Sequence, residues 1–309
     1  MLSNTLKKEL DNVSRSIQEM ILTKELVVQR TLTTALGTKG KRIRAGLVLL
    51  AGALGSHKKD RKKLRKAAIM VELLHLASLV HDDILDDEQF RRNKKTVNAA
   101  QGEGVALFAG NYFISHVFQL AYRLNFEQQV TNVVLKMCSS ELNQLNNKKI
   151  RLAPSLLPYL RINAGKTALL LSCSCQFGAS LAKLKPKEIF LLGKYGFYLG
   201  LAYQLQDDLQ DLFCKEASDL SRSQITLPFA YAHSKSKRVR LLFKLFYQQP
   251  DIVKEELLME IEAAGAKEFT LGLIQKTFAK AVDSLRKLAY LAGIEDLEHV
   301  LAMLKKRIG

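Results

Sequence analysis

Two long, proline-poor stretches of this chain set apolar residues at helical spacing and keep a narrow polar stripe beside them. Counting 100° per residue from Leu64, the residues Ala67, Ala68, Val71, Leu74, Leu76 and Leu79 supply apolar surface. His75, Ser78, Asp82 and Asp86 fall together on the polar stripe. The second stretch behaves alike: Gly200, Gln204, Asp207 and Asp211 line up, and Gly193, Gly196 and Gly200 leave room for a close neighbour. No alternating run with hairpin turns is evident, so the pattern predicts helices and no sheet. With 309 residues, 48% of them hydrophobic, the chain can bury a large core as one helical domain or two tightly packed halves. A polar stripe on an otherwise buried helix is unfavourable unless it serves a site. The competing reading is a stripe that faces water.

Both stripes end in the same acidic pattern, Asp82-Asp83-Ile84-Leu85-Asp86 and Asp207-Asp208-Leu209-Gln210-Asp211. The formal net charge is +17, so these local concentrations of carboxylate run against the composition. Helix-borne carboxylates repel one another unless a cation sits between them. One triplet could be a solvated helix end; two with a shared spacing predict a common metal-filled cleft. Around them stand basic residues: Lys41-Arg42-Ile43-Arg44 after Gly40, Arg91-Arg92 just past the first triplet, and Lys166-Thr167 midway along the chain. Guanidinium forks and ammonium groups suit diphosphate oxygens, and Mg²⁺ commonly bridges carboxylates to substrate phosphates. The combination describes a site for a diphosphate leaving group.

The strings HLASLVHDDILDDEQFRRNKKT from His75, GKRIR from Gly40, KTALL from Lys166 and YQLQDDLQD ending at Asp211 resemble the trans-prenyl diphosphate synthases. The resemblance runs in the family's order from about residue 38 to 230. It implies a single all-α bundle of the isoprenoid synthase type over residues 1–309, around a deep central cavity. It also implies head-to-tail condensation of isopentenyl diphosphate with an allylic diphosphate. By resemblance, Asp82 and Asp86 hold Mg²⁺ on one side and Asp207 and Asp211 on the other, with three ions per site. Asp83 and Asp208 join them directly or through water. Arg91, Lys166 and Lys215 grip the allylic diphosphate, while Lys41, Arg44, His75 and Arg92 hold isopentenyl diphosphate. Thr167 and Gln204 offer dipoles to the carbocation. The departing diphosphate takes the final proton, so no side-chain base is sought. Aromatic residues four and five positions before the first aspartate give short products in the family. Here Ser78 and Ala77 stand there, with Leu74 a turn deeper, which predicts a product of thirty carbons or more, its floor set by Phe113 or Phe118. The alternatives are a geranylgeranyl diphosphate synthase and one subunit of a heteromeric polyprenyl diphosphate synthase.

The chain departs from the family pattern at four places. Ala45 replaces a proline, Asn93 a glycine, Asn111 an aspartate, and Gln224 a lysine. Two other motifs lead nowhere: His75 and His81-Asp82 as a phosphohydrolase pair leave the second triplet unexplained, and Gly165-Lys166-Thr167 lacks the first phosphate-loop glycine because Leu160 stands there. The four cysteines form no Cys-x-x-Cys pair, which argues for a reducing, cytoplasmic setting and against zinc. No apolar run reaches the length of a membrane span, and residues 3–8 lack a signal-peptide core. The basic runs Lys58–Lys66 and Lys235–Arg240 carry no interleaved aromatics, so nucleic acid is not expected. Solvated surface is the default, and peripheral contact with anionic phospholipid comes next. A homodimer is expected by resemblance, with a second, smaller subunit as the alternative.

Overall fold

The computed structural model describes residues 4–37, 40–54, 60–150, 156–213, 226–246 and 248–306. Lys215 and Gln224 lie outside them, as do Lys58 and Lys59. The described chain is all-α apart from one minimal hairpin. In chain order the helices are α1 (Asn4–Met20), α2 (Leu26–Leu36), α3 (Ile43–Ala51) and α4 (Arg61–Leu85). Strands β1 (Phe90–Arg91) and β2 (Lys94–Lys95) come next, then α5 (Val97–Gln101), α6 (Glu103–Leu124) and α7 (Glu127–Ile150). A short α8 (Leu156–Asn163) runs into a π-helical turn (Ala164–Ala168), α9 (Leu169–Leu181) and α10 (Pro186–Phe213). The remainder is α11 (Leu227–Lys235), α12 (Lys237–Phe246), α13 (Pro250–Ala263), α14 (Ala266–Arg286) and α15 (Ile294–Lys305).

The chain divides into two compact units. The first comprises residues 1–133, 170–193 and 287–297. Its central element is α4, which packs most extensively on α6 and also against α3 and α1. Helix α4 starts where Asp60 accepts a hydrogen bond from the Lys63 amide at 3.0 Å, satisfying one of the helix's orphan donors. Ala67, Ala68, Met70, Val71, Leu73, Leu74 and Ala77 are buried along it. The helices approach closely where a side chain is absent. A β-carbon at Gly110 of α6 would fall 2.1 Å from His81 Nε2, and one at Gly178 of α9 would fall 2.2 Å from the Val48 carbonyl oxygen.

The second unit comprises residues 134–169, 194–286 and 298–309. Its apolar core gathers Leu212 from α10, Phe229 and Ala232 from α11, Val239, Leu242 and Phe246 from α12, and Val253, Leu257 and Ile261 from α13. The sequence KRVRLLFKLF of α12 explains its part: three apolar residues at i, i+3 and i+7 face inward, and the cations stay in water.

The one hairpin among the described residues leaves the all-α expectation standing. Phe90 pairs with Lys95 and Arg91 with Lys94, over strands too short to show alternation. The turn needs positive φ at both central residues, and Arg92 (51°) and Asn93 (63°) supply it. Asparagine tolerates that conformation better than other non-glycine residues, which accounts for Asn93 where the family pattern has glycine.

Candidate active site

Each acidic motif sits in the last turns of a long helix. Asp82 and Asp83 close α4, and Asp86 is its C-cap, with the Asp86 amide bonded to the Asp82 carbonyl at 2.9 Å. Asp207, Asp208 and Asp211 close α10, which ends at Phe213. A helix C-terminus already carries partial negative charge, so the carboxylates in the last turn of α4 are misplaced by about 0.3–1 kcal/mol each unless a cation compensates. Neither helix has a basic residue in its last turn. The compensating cations must come from elsewhere in the chain or from solution.

In the first unit the middle aspartate turns inward. Asp83 is buried, and Arg91 Nε donates to its Oδ1 at 2.8 Å, with Nη2 on the same oxygen. The hairpin that carries Arg91 is tied back to α4 through the Asp83 carbonyl, which accepts from Asn98 Nδ2 (3.1 Å) and the Glu88 amide (2.9 Å). Burial pushes the Asp83 carboxyl above the usual range, against the hydrogen bond and charge of Arg91, while Glu88 and Asp86 add to the rise. Asp82 and Asp86 are part-exposed. A cleft beside the motif is lined by Leu36, Leu79, Val80, Asp83, Arg91 and Arg92.

Three of the residues assigned to isopentenyl diphosphate, Arg44, His75 and Arg92, converge in the same unit. His75 is held well below its usual pKa, first by burial and then by the charges of Arg44, Arg91 and Arg92. A β-carbon at Gly40 would stand 3.1 Å from Arg92 Nη1, so the glycine before Lys41 gives that guanidinium its place. Lys41 is exposed. Arg42 serves structure, donating from Nη1 to the Leu10 carbonyl at 3.1 Å. Ala45 has a use that proline could not fill: its amide donates to Glu72 Oε1 at 2.9 Å, one of the orphan donors of α3. Ala77 and Leu74 are buried, Ser78 donates to the His75 carbonyl at 2.8 Å, and Phe113 is buried on α6 with Phe118 part-exposed.

The second unit builds its motif differently. Thr167 Oγ1 donates to Gln204 Oε1 at 2.9 Å, and Gln204 Nε2 donates to Asp208 Oδ1 at 2.9 Å. Asp208 Oδ2 accepts from the Tyr159 hydroxyl and, at 3.4 Å, from the Leu227 amide. Asp208 is buried, Asp207 part-exposed and Asp211 exposed. Lys166 lies on the π-helical turn and pairs with Glu141 of α7 at 2.9 Å. That turn presses on α7, because a β-carbon at Gly165 would meet Ser140 Oγ at 1.9 Å. Single π-turns often mark functional sites, and this one carries Lys166 and Thr167. Sequence reasoning missed Tyr159, Glu141 and Glu72; only packing reveals them.

Among the described residues no three His, Cys, Asp or Glu side chains already form a metal cage. Part-exposed carboxylate pairs one helical turn apart suit Mg²⁺, which keeps waters and uses one or two carboxylates plus substrate phosphates.

A family profile described as polyprenyl synthetase matches residues 25–261. The chain belongs to the polyprenyl synthetase family. It is 29% identical over 299 residues to heptaprenyl diphosphate synthase component 2 of Bacillus subtilis (strain 168), covering 93% of this chain and 85% of that protein. It is 32% identical over 257 residues to the protein of the same name from Geobacillus stearothermophilus, covering 80% and 79%. A crystal structure of a geranylgeranyl pyrophosphate synthase superposes with a TM-score of 0.87 at 25% identity, covering 99% of each chain. The heptaprenyl diphosphate synthase of Staphylococcus aureus also gives 0.87, at 24% identity, covering 98% of this chain and 97% of that one. The all-helical fold and the prenyltransferase class expected from the sequence are both borne out. Among the described residues no helix is long and apolar enough to cross a membrane.

Proposed function

We propose that this polyprenyl synthetase extends an allylic diphosphate with isopentenyl diphosphate to give an all-trans chain of thirty carbons or more. The observation that carries the reading is the pair of acidic motifs, each ending a helix that has no basic residue in its last turn. Asp82, Asp86, Asp207 and Asp211 would hold Mg²⁺, three ions in all, which when bound supplies positive charge to the leaving diphosphate. Arg91 and Lys166 neutralise the same diphosphate as the allylic carbon–oxygen bond breaks. Lys41, Arg44 and Arg92 hold isopentenyl diphosphate, with neutral His75 beside them. The new bond forms when its double bond attacks the allylic cation, and the released diphosphate takes the proton. Thr167 and Gln204 keep oxygen dipoles next to the motif. The small residues Ala77 and Ser78, where short-chain members of the family carry aromatics, favour a long product.

The purified protein, incubated with Mg²⁺, radiolabelled isopentenyl diphosphate and allylic primers of increasing length, tests this by the size of its products. Release of a single short product with isopentenyl diphosphate in excess would overturn the long-chain reading. A second chain is supported by α6, on which Val105, Phe108 and Tyr122 are exposed. Their spacing puts them on one face suited to a second copy. The names of the Bacillus and Geobacillus relatives, each a component 2, favour a distinct partner subunit as the alternative. Light scattering on the protein expressed alone separates these: an inactive monomer rescued by a partner favours the heteromer. The exposed lysines Lys62, Lys63 and Lys66 at the start of α4 favour peripheral contact with anionic lipid.

A further inference from the structure

We infer that Tyr159 is a positioning residue for the second acidic motif, acting through Asp208; the inference rests on the function proposed above. Tyr159 is buried on α8, and its hydroxyl donates to Asp208 Oδ2. Asp208 is itself buried, and a buried carboxylate is strongly unfavourable unless its oxygens are hydrogen-bonded. Its donors include Tyr159 from α8, Gln204 from one turn back on α10, and the Leu227 amide from the first residue of α11.

Asp208 therefore acts as the peg that fixes the end of α10. Residues Asp207 and Asp208 are rotated about 100° from one another on the helix, so holding one aims the other, and Asp211 follows a turn later. The same bonds continue from Gln204 to Thr167 on the π-helical turn. One phenol thus sets the end of α10 against the turn that carries Lys166. Phenylalanine in its place would keep the packing and delete the phenol donor to Asp208 Oδ2. The end of α10 is then held less firmly against α8, and Asp207 and Asp211 lose preorganisation toward cations.

The test uses the full chain. Mg²⁺ is titrated calorimetrically in the presence of inorganic diphosphate, steady-state constants are measured for both substrates, and thermal melts are recorded in EDTA. For Tyr159→Phe the expected result is a loss of Mg²⁺ affinity of about 10–100-fold, the usual effect of removing a group that orients a metal ligand. The turnover number should fall with it, while the KM for isopentenyl diphosphate stays within about twofold. Asp208→Asn, which keeps the volume, should give a similar loss, and the double variant should be no worse than the more affected single one. That second series decides the matter if Tyr159→Phe does not fold. Unchanged Mg²⁺ affinity in Tyr159→Phe, or losses that simply add in the double variant, would overturn the inference while the function stands. A wild-type protein that neither elongates a primer nor takes up Mg²⁺ would overturn both.

Discussion

Replacing Arg91 with methionine should destabilise the protein at neutral pH and much less in acid. The Arg91–Asp83 pair is asymmetric: the arginine side chain is 40% exposed and the aspartate side chain 9%. Removing one partner of a fully buried pair costs about 3–5 kcal/mol because the other charge is stranded. Water reaches this arginine, and screening brings the expectation to about 2 kcal/mol. The pH dependence follows from Asp83. Its carboxyl is already raised by burial, with Arg91 the opposing influence, so deleting Arg91 lifts it further. A carboxyl with a raised folded-state pKa binds its proton more tightly when folded. The penalty is therefore absent below the unfolded value of about 3.9 and fully present above the folded one. Guanidinium unfolding of variant and wild type, followed by circular dichroism at about pH 4 and about pH 7.5, should show the gap open as pH rises. Adding Asp83→Asn to the Arg91→Met background should recover most of the loss, since no buried charge is left. Equal losses at the two pH values, or no recovery by Asp83→Asn, would refute this account of the pair.

Asp82→Ala and Asp207→Ala should each lower turnover by the equivalent of several kcal/mol (about 3–4) of transition-state stabilisation with little change in the melt, EDTA should abolish activity, and Mg²⁺ should restore it; full activity in either variant at limiting Mg²⁺ would contradict the metal assignment. Lys41→Ala and Arg44→Ala should raise the KM for isopentenyl diphosphate, whereas Lys166→Ala should weaken the allylic substrate and slow ionisation, and steady-state constants for each substrate distinguish these from a uniform effect. His75 is held neutral by burial and by Arg44, Arg91 and Arg92, so its contribution is intact above the unfolded value of about 6.5 and is lost as pH falls below it. His75→Gln should flatten the acid limb of the stability profile, and an unchanged slope would exclude His75 as its source. Ala77→Phe should shorten the product at about 1–3 kcal/mol of stability, because Ala77 is 1% exposed and the ring must displace neighbours; product sizing shows whether chain length moves.

Helix periodicity was enough to read the α4 stripe. His75, Ser78 and Asp82 needed only the 100° step, and the Asp86 amide bond to the Asp82 carbonyl carries the stripe through the C-cap. The same arithmetic could not separate the middle aspartates from their neighbours. It gives the direction of Asp83 and Asp208 but not what waits in that direction. Arg91 reaches Asp83 because a two-residue hairpin folds back, and strands that short leave no alternating pattern. Tyr159 reaches Asp208 across 49 positions of chain, a separation no local rule spans. The π-helical turn was likewise invisible, since Ala164-Gly165-Lys166-Thr167-Ala168 has the composition of an ordinary helix, and its departure lies in the backbone, where the Leu169 amide reaches the Ala164 carbonyl.

The two motifs share a sequence but are anchored by different chemistry, and the difference bears on how each meets its substrate. Among the partners of Asp208 are a phenol, an amide side chain and a backbone N–H. Asp83 is held by a guanidinium that is also proposed to grip the allylic diphosphate. Arginine can serve both because its donors form a planar fork: Nε and Nη2 point at Asp83, and Nη1 takes no part in that pair. A lysine would place a single ammonium between two anions and would have to leave one for the other. The raised carboxyl of Asp83 then has a consequence for binding. A diphosphate drawn to Arg91 competes for the charge that keeps Asp83 ionised, and Mg²⁺ at Asp82 and Asp86 offsets that competition by adding positive charge on the other side of the motif. Metal and diphosphate should therefore bind the first motif with positive coupling, each raising the affinity for the other.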